Sequence, residues 1–430
     1  MTDTTAAAPR LAAFHFRDFR LFWFGQLFSS IGAQMQLVAV DWHIYQLLRG
    51  SSFTLAWFGR EIALDGKALG LGTMGLVRIL PIIFFALFGG LVADSYDRRR
   101  VLILTRSVAA ALAGVLALAT LAGRPSVGLI YLMTAAGAAT TAFDSPARQS
   151  LVPSLVPREH LTNAISLNML LFQVTTIVGS ALAGALVAVF DIGVVYTVSA
   201  LSLCAIIVSL VLMQSRGRTV AQSSGLGWTA LVDGIRFTYR SRIIWGTMLL
   251  DFFATFFSSA RTMLPIVAND VLKVGAGGYG LLNAAQPVGA LCAVAVLALR
   301  RDIRRQGWVL LASVAAYGVA TALFGASPFF LLAFVLLALT GAADTVSTVI
   351  RQTLRQLLTP DELRGRMTSV NMMFFMGGPQ LGELEAGLVA ALFGAPLSII
   401  SGGVATVLLT ALVAWKYPQL RRYTSAARAE

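Results

Sequence analysis

The segment from Arg148 to Phe190 is present twice in this chain. Moved forward by 203 residues onto Arg351 to Phe393, with no gap, it is identical at 15 of 43 positions. Leucine matches would follow from shared apolar composition. The pairs Arg148/Arg351, Gln149/Gln352, Pro157/Pro360, Glu159/Glu362 and Asn168/Asn371 would not, because such residues are scarce here. A duplicated unit of about half the chain restricts the fold to two structurally equivalent halves.

Composition identifies the solvent for those halves. Hydrophobic residues make up 57% of the 430 and charged residues 12%, against roughly a quarter charged in soluble domains. A soluble chain of this length has no interior large enough to bury so much apolar surface, so a bilayer must cover it. Ser107 to Gly123 carries no charge and approaches the roughly 20 residues that cross a hydrocarbon core; Gly307 to Ala343 is likewise uncharged and is divided by Ser327-Pro328. Cys204 and Cys292 lie inside apolar runs and read as small packed hydrophobes, not as a disulfide or a metal site.

Hydropathy and helix breakers predict an all-α polytopic membrane protein with twelve transmembrane helices, at 20–47, 70–93, 100–123, 127–147, 161–189, 193–213, 243–268, 277–299, 307–325, 328–352, 367–393 and 396–416. They group into two pseudo-symmetric six-helix bundles, 20–213 and 243–416. These are flanked by a segment at 1–19, a polar linker at 214–242 and a tail at 417–430. Residues 1–19 lack an apolar core and a cleavage site, so the first spanning helix is expected to direct insertion. With both termini cytoplasmic, Arg49, Arg60, Lys67, Arg124 and Lys273 fall outside and Arg78 and Arg261 within spans. The rest of the 33 basic residues lie on or near the cytoplasmic side. The net charge of +13 is thereby spread over short loops beside anionic lipid, and no nucleic-acid surface is implied. The loop at 49–69 is more charged than the other external loops and reads as a solvated loop or a short lid.

Ionisable residues at membrane depth are costly and mark function. Those here are Asp41, Arg78, Asp251, Arg261, Asp344, Glu383 and Glu385. Asp41 and Arg78 fall at similar height on consecutive antiparallel spans and are expected to pair, with Arg261 as a second cationic partner for Asp41. Glu383 and Glu385 are two apart, about 200° around a helix, so one faces a central cavity and the other packs between helices. At the cytoplasmic end, Asp144 and Arg148 are four apart on one face, and Asp344 and Arg351 are seven apart on another. Each set reads either as a static ion pair or latch, or as a proton-coupling site. Phe252, Phe253, Phe256, Phe257, Phe374 and Phe375 surround this depth and suit a planar amphipathic ligand as well as ordinary packing.

After the second span comes Gly-Gly-Leu-Val-Ala-Asp-Ser-Tyr-Asp-Arg-Arg-Arg, residues 89–100. It resembles the loop signature of the major facilitator superfamily, departing from it at Val92, Ser95 and Asp97. Residues 143–157 (Phe-Asp-Ser-Pro-Ala-Arg-Gln-Ser-Leu-Val-Pro-Ser-Leu-Val-Pro), Arg17-Asp18-Phe19-Arg20 and the run Gly-Glu-Leu-Glu-Ala-Gly at 382–387 are similar to its multidrug and siderophore exporter branch. The resemblance implies a fold of two six-helix bundles about a central site, in a bacterial inner membrane. It also implies a cytoplasmic gating role for Asp94, Arg98 and Arg99, to which the sequence adds Asp144, Arg148 and Arg351.

No phosphate-binding loop, Cys/His cluster or His-Glu-x-x-His occurs, and His15, His43 and His160 are scattered. A cofactor, a metal and an enzymatic nucleophile are therefore not expected. The sequence reading is a monomeric secondary transporter whose partners are a small-molecule substrate, protons and the lipid bilayer. It would export its cargo, with a catecholate siderophore as the leading candidate, by proton-coupled antiport with alternating access. A multidrug or macrolide-type pump is the main alternative, followed by a lipid flippase, an uptake symporter or a membrane-embedded enzyme.

Overall fold

A computed structural model describes residues 12–57, 60–214, 235–299, 303–360 and 363–424. Twelve long helices follow in chain order among them. The first six are α1 (Arg17–Leu47), α2 (Gly66–Ser95), α3 (Arg98–Leu121), α4 (Val127–Leu151), α5 (Leu161–Val189) and α6 (Ile192–Leu212). The second six are α7 (Arg242–Phe257), α8 (Gly275–Leu299), α9 (Gln306–Gly325), α10 (Phe330–Leu358), α11 (Arg364–Phe393) and α12 (Ala395–Lys416). Among the described residues, ten helices are long and apolar enough to cross a membrane. The other two, α1 and α11, are as long but carry Asp41 and the pair Glu383 and Glu385 within their spans. Most of the linker expected at 214–242 lies outside the described residues; 235–240 is helical.

Burial is inverted relative to a water-soluble protein. Leu118, Val189, Leu299 and Trp415 are 71%, 74%, 86% and 77% exposed, while Ser180, Ser199 and Thr247 are fully buried. In water each exposed leucine or tryptophan would forgo the roughly 25 cal/mol per Å² that burying its apolar surface supplies; against lipid tails that cost vanishes. What remains to hold helices together is close packing by small residues and internal hydrogen bonds.

The described residues form two compact units. One contains the residues through Ala39 and from Leu80 to 214; the other contains Val40–Ile79 and the residues from 235 onward. The helix pairings of the first recur in the second. In the first, α3 packs on α4 and α6; in the second, α9 packs on α10 and α12. A Cβ on Gly179 of α5 would lie 2.8 Å from the Ile31 carbonyl oxygen of α1, and a Cβ on Gly382 of α11 would collide with the Phe256 carbonyl of α7. These glycines are a matched pair of the repeat, and each lets backbones meet where no side chain fits.

Two local features depart from the sequence expectation. The stretch read as a loop at 49–69 folds into an antiparallel hairpin, β1 (Ser52–Trp57) against β2 (Arg60–Asp65), with Ser52 opposite Asp65 and Trp57 opposite Arg60. Alternation of Phe53, Leu55 and Trp57 with polar or small residues supplies the period of two that a strand needs. Within the second unit, β2 packs against α11. The seventh span is not one continuous α-helix. After Phe257 it passes through a 3₁₀ turn, Ala260–Met263, a short turn bearing Pro265, and a π-helical turn, Val267–Val271. Proline removes a backbone donor and crowds the preceding turn. The Ser258 carbonyl at the break accepts from the Tyr317 hydroxyl at 3.3 Å, and the Ser258 hydroxyl meets that of Thr406 at 2.8 Å, so the broken ladder is repaired internally.

Candidate functional site

The second unit brings three of the mid-membrane charges together. Arg78 of α2 places Nη2 2.5 Å from Asp41 Oδ1 of α1 and Nη1 3.5 Å from Glu383 Oε2 of α11. All three side chains are 15–18% exposed. The close approach of α2 to α11 depends on glycine: a Cβ on Gly72 would stand 2.6 Å from Gly387 Cα, and one on Gly75 would stand 2.8 Å from Glu383 Cβ. Arg78 lies one turn beyond Gly75, so the glycine contact delivers its guanidinium to the acid. Two carboxylates share one cation, and its third guanidinium nitrogen, Nε, is buried without a partner among the described residues. Beside this triad Trp42 stacks on Tyr279 at 5.2 Å and 24°, which closes it with aromatic surface.

A second cluster lies between α7 and α10. Arg351 Nη2 is 2.9 Å from Asp251 Oδ1, with both side chains under 5% exposed, and 3.5 Å from Asp344 Oδ1, which is half exposed. Thr348 accepts from the same nitrogen at 2.8 Å. Arg355, one turn on and buried, donates to the Arg351 carbonyl at 3.2 Å and to Asn371 Oδ1. The pairing of Asp344 with Arg351 follows the expected seven-residue spacing; the closer bond to Asp251 joins residues from two helices.

The first unit has its own cluster. Asp144, 7% exposed, accepts a two-pronged contact from Arg106 of α3, Nε at 2.8 Å and Nη2 at 2.7 Å. Arg148, the expected partner, stands off at 3.6 Å and is 39% exposed. Arg98 and Arg99 cap helix ends: Arg98 donates to the Ser150 carbonyl of α4 at 2.9 Å and Arg99 to the Val211 carbonyl of α6 at 2.8 Å. Both place positive charge where the helix dipole is negative. Asp97, a departure from the loop signature, is the N-cap of α3, accepting from the Arg99 amide at 2.9 Å. The Asp94 side chain lies outside the described residues.

Not every expected residue joins a cluster. Arg261 is exposed and makes no ion pair with Asp41 among the described residues; Arg78 is the cation that Asp41 meets. Glu385, half-buried on α11, has no hydrogen bond or ion pair there, whereas Glu383 faces Arg78. Sequence reasoning missed Arg106, Arg355 and Asn371. Arg106 carried a signal, since it falls inside the predicted span 100–123. Phe252 stacks on Phe256 at 5.9 Å and 16° and meets Phe374 edge-on, forming an aromatic wall along α7 and α11. No group of three or more His, Cys, Asp or Glu able to hold a metal occurs among the described residues.

A family model described as transmembrane secretion effector matches residues 8–429. The enterobactin exporter EntS of Shigella boydii serotype 18 is 26% identical over 405 residues, 94% of this chain and 93% of that protein. Among solved structures, an inward-facing, occupied bacterial homologue of the human lysosomal transporter Spinster superposes with a TM-score of 0.68 at 14% identity, over 95% of this chain and 99% of that one. The nucleoside transporter NupG does so with a TM-score of 0.67 at 12% identity, over 95% and 100%.

Proposed function

The chain belongs to the transmembrane secretion effector family of major facilitator transporters, and on that premise we propose that it exports a small organic molecule by proton-coupled antiport. The observation that carries this reading is the triad of Asp41, Arg78 and Glu383. With both acids ionised it holds one unbalanced negative charge at membrane depth, where such a charge is expensive. A proton on Glu383 leaves the close Asp41–Arg78 pair neutral. Losing that proton frees a carboxylate to compete for Arg78, so the pairing of α2 with α1 and α11 changes with proton occupancy. That is the requirement for coupling a proton to a conformational change.

A catecholate siderophore is the leading cargo. It draws on the relatedness to EntS along nearly the full length and on the Phe252, Phe256 and Phe374 wall, which suits stacking against planar rings. One observation favours the second reading, a multidrug pump. Glu385 has no cationic partner among the described residues, and an unbalanced carboxylate at membrane depth suits cationic amphiphiles. In either case the protein acts as a monomer in the bacterial plasma membrane, with halves 20–213 and 243–416 and both termini cytoplasmic. Asp144, Arg148, Arg351, Asp94, Arg98 and Arg99 serve the cytoplasmic gate.

The test is purified protein in liposomes with an imposed pH gradient, offered enterobactin and, separately, a lipophilic aromatic cation. Accumulation that follows the gradient supports antiport, and the preferred cargo decides between the readings. Transport of a confirmed substrate that ignores the gradient removes proton coupling.

A further inference from the structure

At the end of the second unit where α7 and α9 begin and α12 finishes, the chain folds back under its own helices. α12 stops at Lys416, and Pro418–Arg421 form one further turn. Leu420 of that turn is fully buried in a core with Leu250, Leu310 and Val413. A Cβ on Gly246 of α7 would touch the Tyr417 ring at 3.5 Å. The Gly307 amide, in the first turn of α9, donates to the Tyr423 carbonyl at 3.1 Å. Only glycine fits at 307, since a Cβ there would collide with the Leu420 carbonyl oxygen.

The docked tail brings two pairs of arginines together. Arg304 and Arg305 precede Gly307, and Arg421 and Arg422 precede Tyr423, so one backbone hydrogen bond holds both pairs side by side. All four are exposed, and none of their guanidinium groups has an ion pair or hydrogen bond among the described residues. The nearest acid in sequence, Asp302, lies outside the described residues and follows Arg300 and Arg301. The first unit uses its arginines differently, with Arg98 and Arg99 engaged on the Ser150 and Val211 carbonyls. Arg304 and Arg305 moreover sit at the positive end of the α9 dipole, which has no acid in its first turn and no side-chain cap. Cations so placed are repelled by the helix and by one another, and a bound anion relieves both.

The same end carries the marks of a membrane surface. Trp308 in the first turn of α9 and Trp415 in the last turn of α12 are 56% and 77% exposed, as indole rings are at a membrane–water interface. Leu408, Leu412 and Trp415 follow at spacings of four and three, so they share one face of α12, and all are exposed. An apolar stripe thus leads from the level of the arginines along the helix. Guanidinium groups grip phosphate oxygens in two-pronged fashion, and two arginine pairs match two phosphates.

We propose that Arg304, Arg305, Arg421 and Arg422 bind an anionic phospholipid whose head group carries two phosphates, with its acyl chains laid on Trp415, Leu412 and Leu408. The site stands whatever the cargo and its coupling. To test it, the full-length protein, delipidated in detergent, is titrated with cardiolipin and separately with phosphatidylglycerol, and bound lipid is counted by native mass spectrometry. One cardiolipin should bind, more tightly than phosphatidylglycerol. Arg304→Gln with Arg421→Gln should weaken it roughly 25-fold, about fivefold per arginine. Arg100→Gln with Arg158→Gln, which removes equal charge from exposed positions of the first unit, should leave it unchanged. Gly307→Ala removes no charge but displaces the tail, and should weaken binding roughly fivefold or more. Equal losses in the two double variants would reduce the site to diffuse surface charge and overturn it. Release of cardiolipin by an equal concentration of inorganic pyrophosphate would overturn it too, by identifying a soluble anion as the ligand.

Discussion

Ser180 of α5 and Glu383 of α11 occupy the same position of the duplicated segment and do different work. Ser180 is fully buried and accepts from Gln34 of α1 at 3.3 Å, a neutral bond inside the first unit. Glu383 engages Arg78. One residue earlier the copies agree, because Gly179 and Gly382 each seat the helix on its neighbour's backbone. The duplicated arginines diverge in the same manner. Arg351 is buried against Asp251 as its nearest acid, whereas Arg148 stands at the rim of an acid that Arg106 already satisfies. The repeat preserves where helices touch and releases what charge is placed beside the contact. Packing is a property of backbone geometry that both halves share; the chemistry is needed on one side only.

The sharpest way to break this comparison is to cut both arginines. Arg351→Ala leaves Asp251 buried without its closest cation and should cost about 3–5 kcal/mol, as measured by thermal unfolding in detergent. Arg148→Ala, tested in parallel, should cost under about 1 kcal/mol, because Asp144 keeps Arg106; equal losses would make the two sites equivalent after all. Next in size is the divergent pair itself. Glu383→Gln should leave substrate flux unresponsive to an imposed pH gradient. Ser180→Ala should leave the gradient response intact and cost about 1 kcal/mol of stability for the lost hydrogen bond. The smallest difference is expected where the copies agree: Gly179→Ala and Gly382→Ala should each destabilise by roughly 1–3 kcal/mol, and by similar amounts. A large asymmetry there would mean that the shared glycines no longer share a task.

Much of this arrangement was legible in the chain. Twelve spans could be placed because apolar runs and breakers report directly on the bilayer, and Asp41 with Arg78 followed from depth on antiparallel neighbours. The third member was not legible as a partner. Glu383 is 305 residues from Arg78, and depth alone cannot choose between a cation on α2 and Arg261 in the 3₁₀ turn after α7. Arg106 escaped because an arginine at a span end is ordinarily explained by loop topology. Tertiary choice among equally deep charges depends on which backbones come close, and glycine contacts decide that only once the helices are paired.

The meeting of Gly72 with Gly387 has a mechanical consequence. Helices packed by interlocking side chains must lift each knob from its hole before one moves along the other. Here neither partner has a Cβ, and a methyl on Gly387 would collide with Gly72. The contact resists separation through close dispersion over a smooth surface but offers no teeth to shear. It acts as a bearing, tight along the line of centres and low in friction along the axes, set beside the Asp41–Arg78–Glu383 triad.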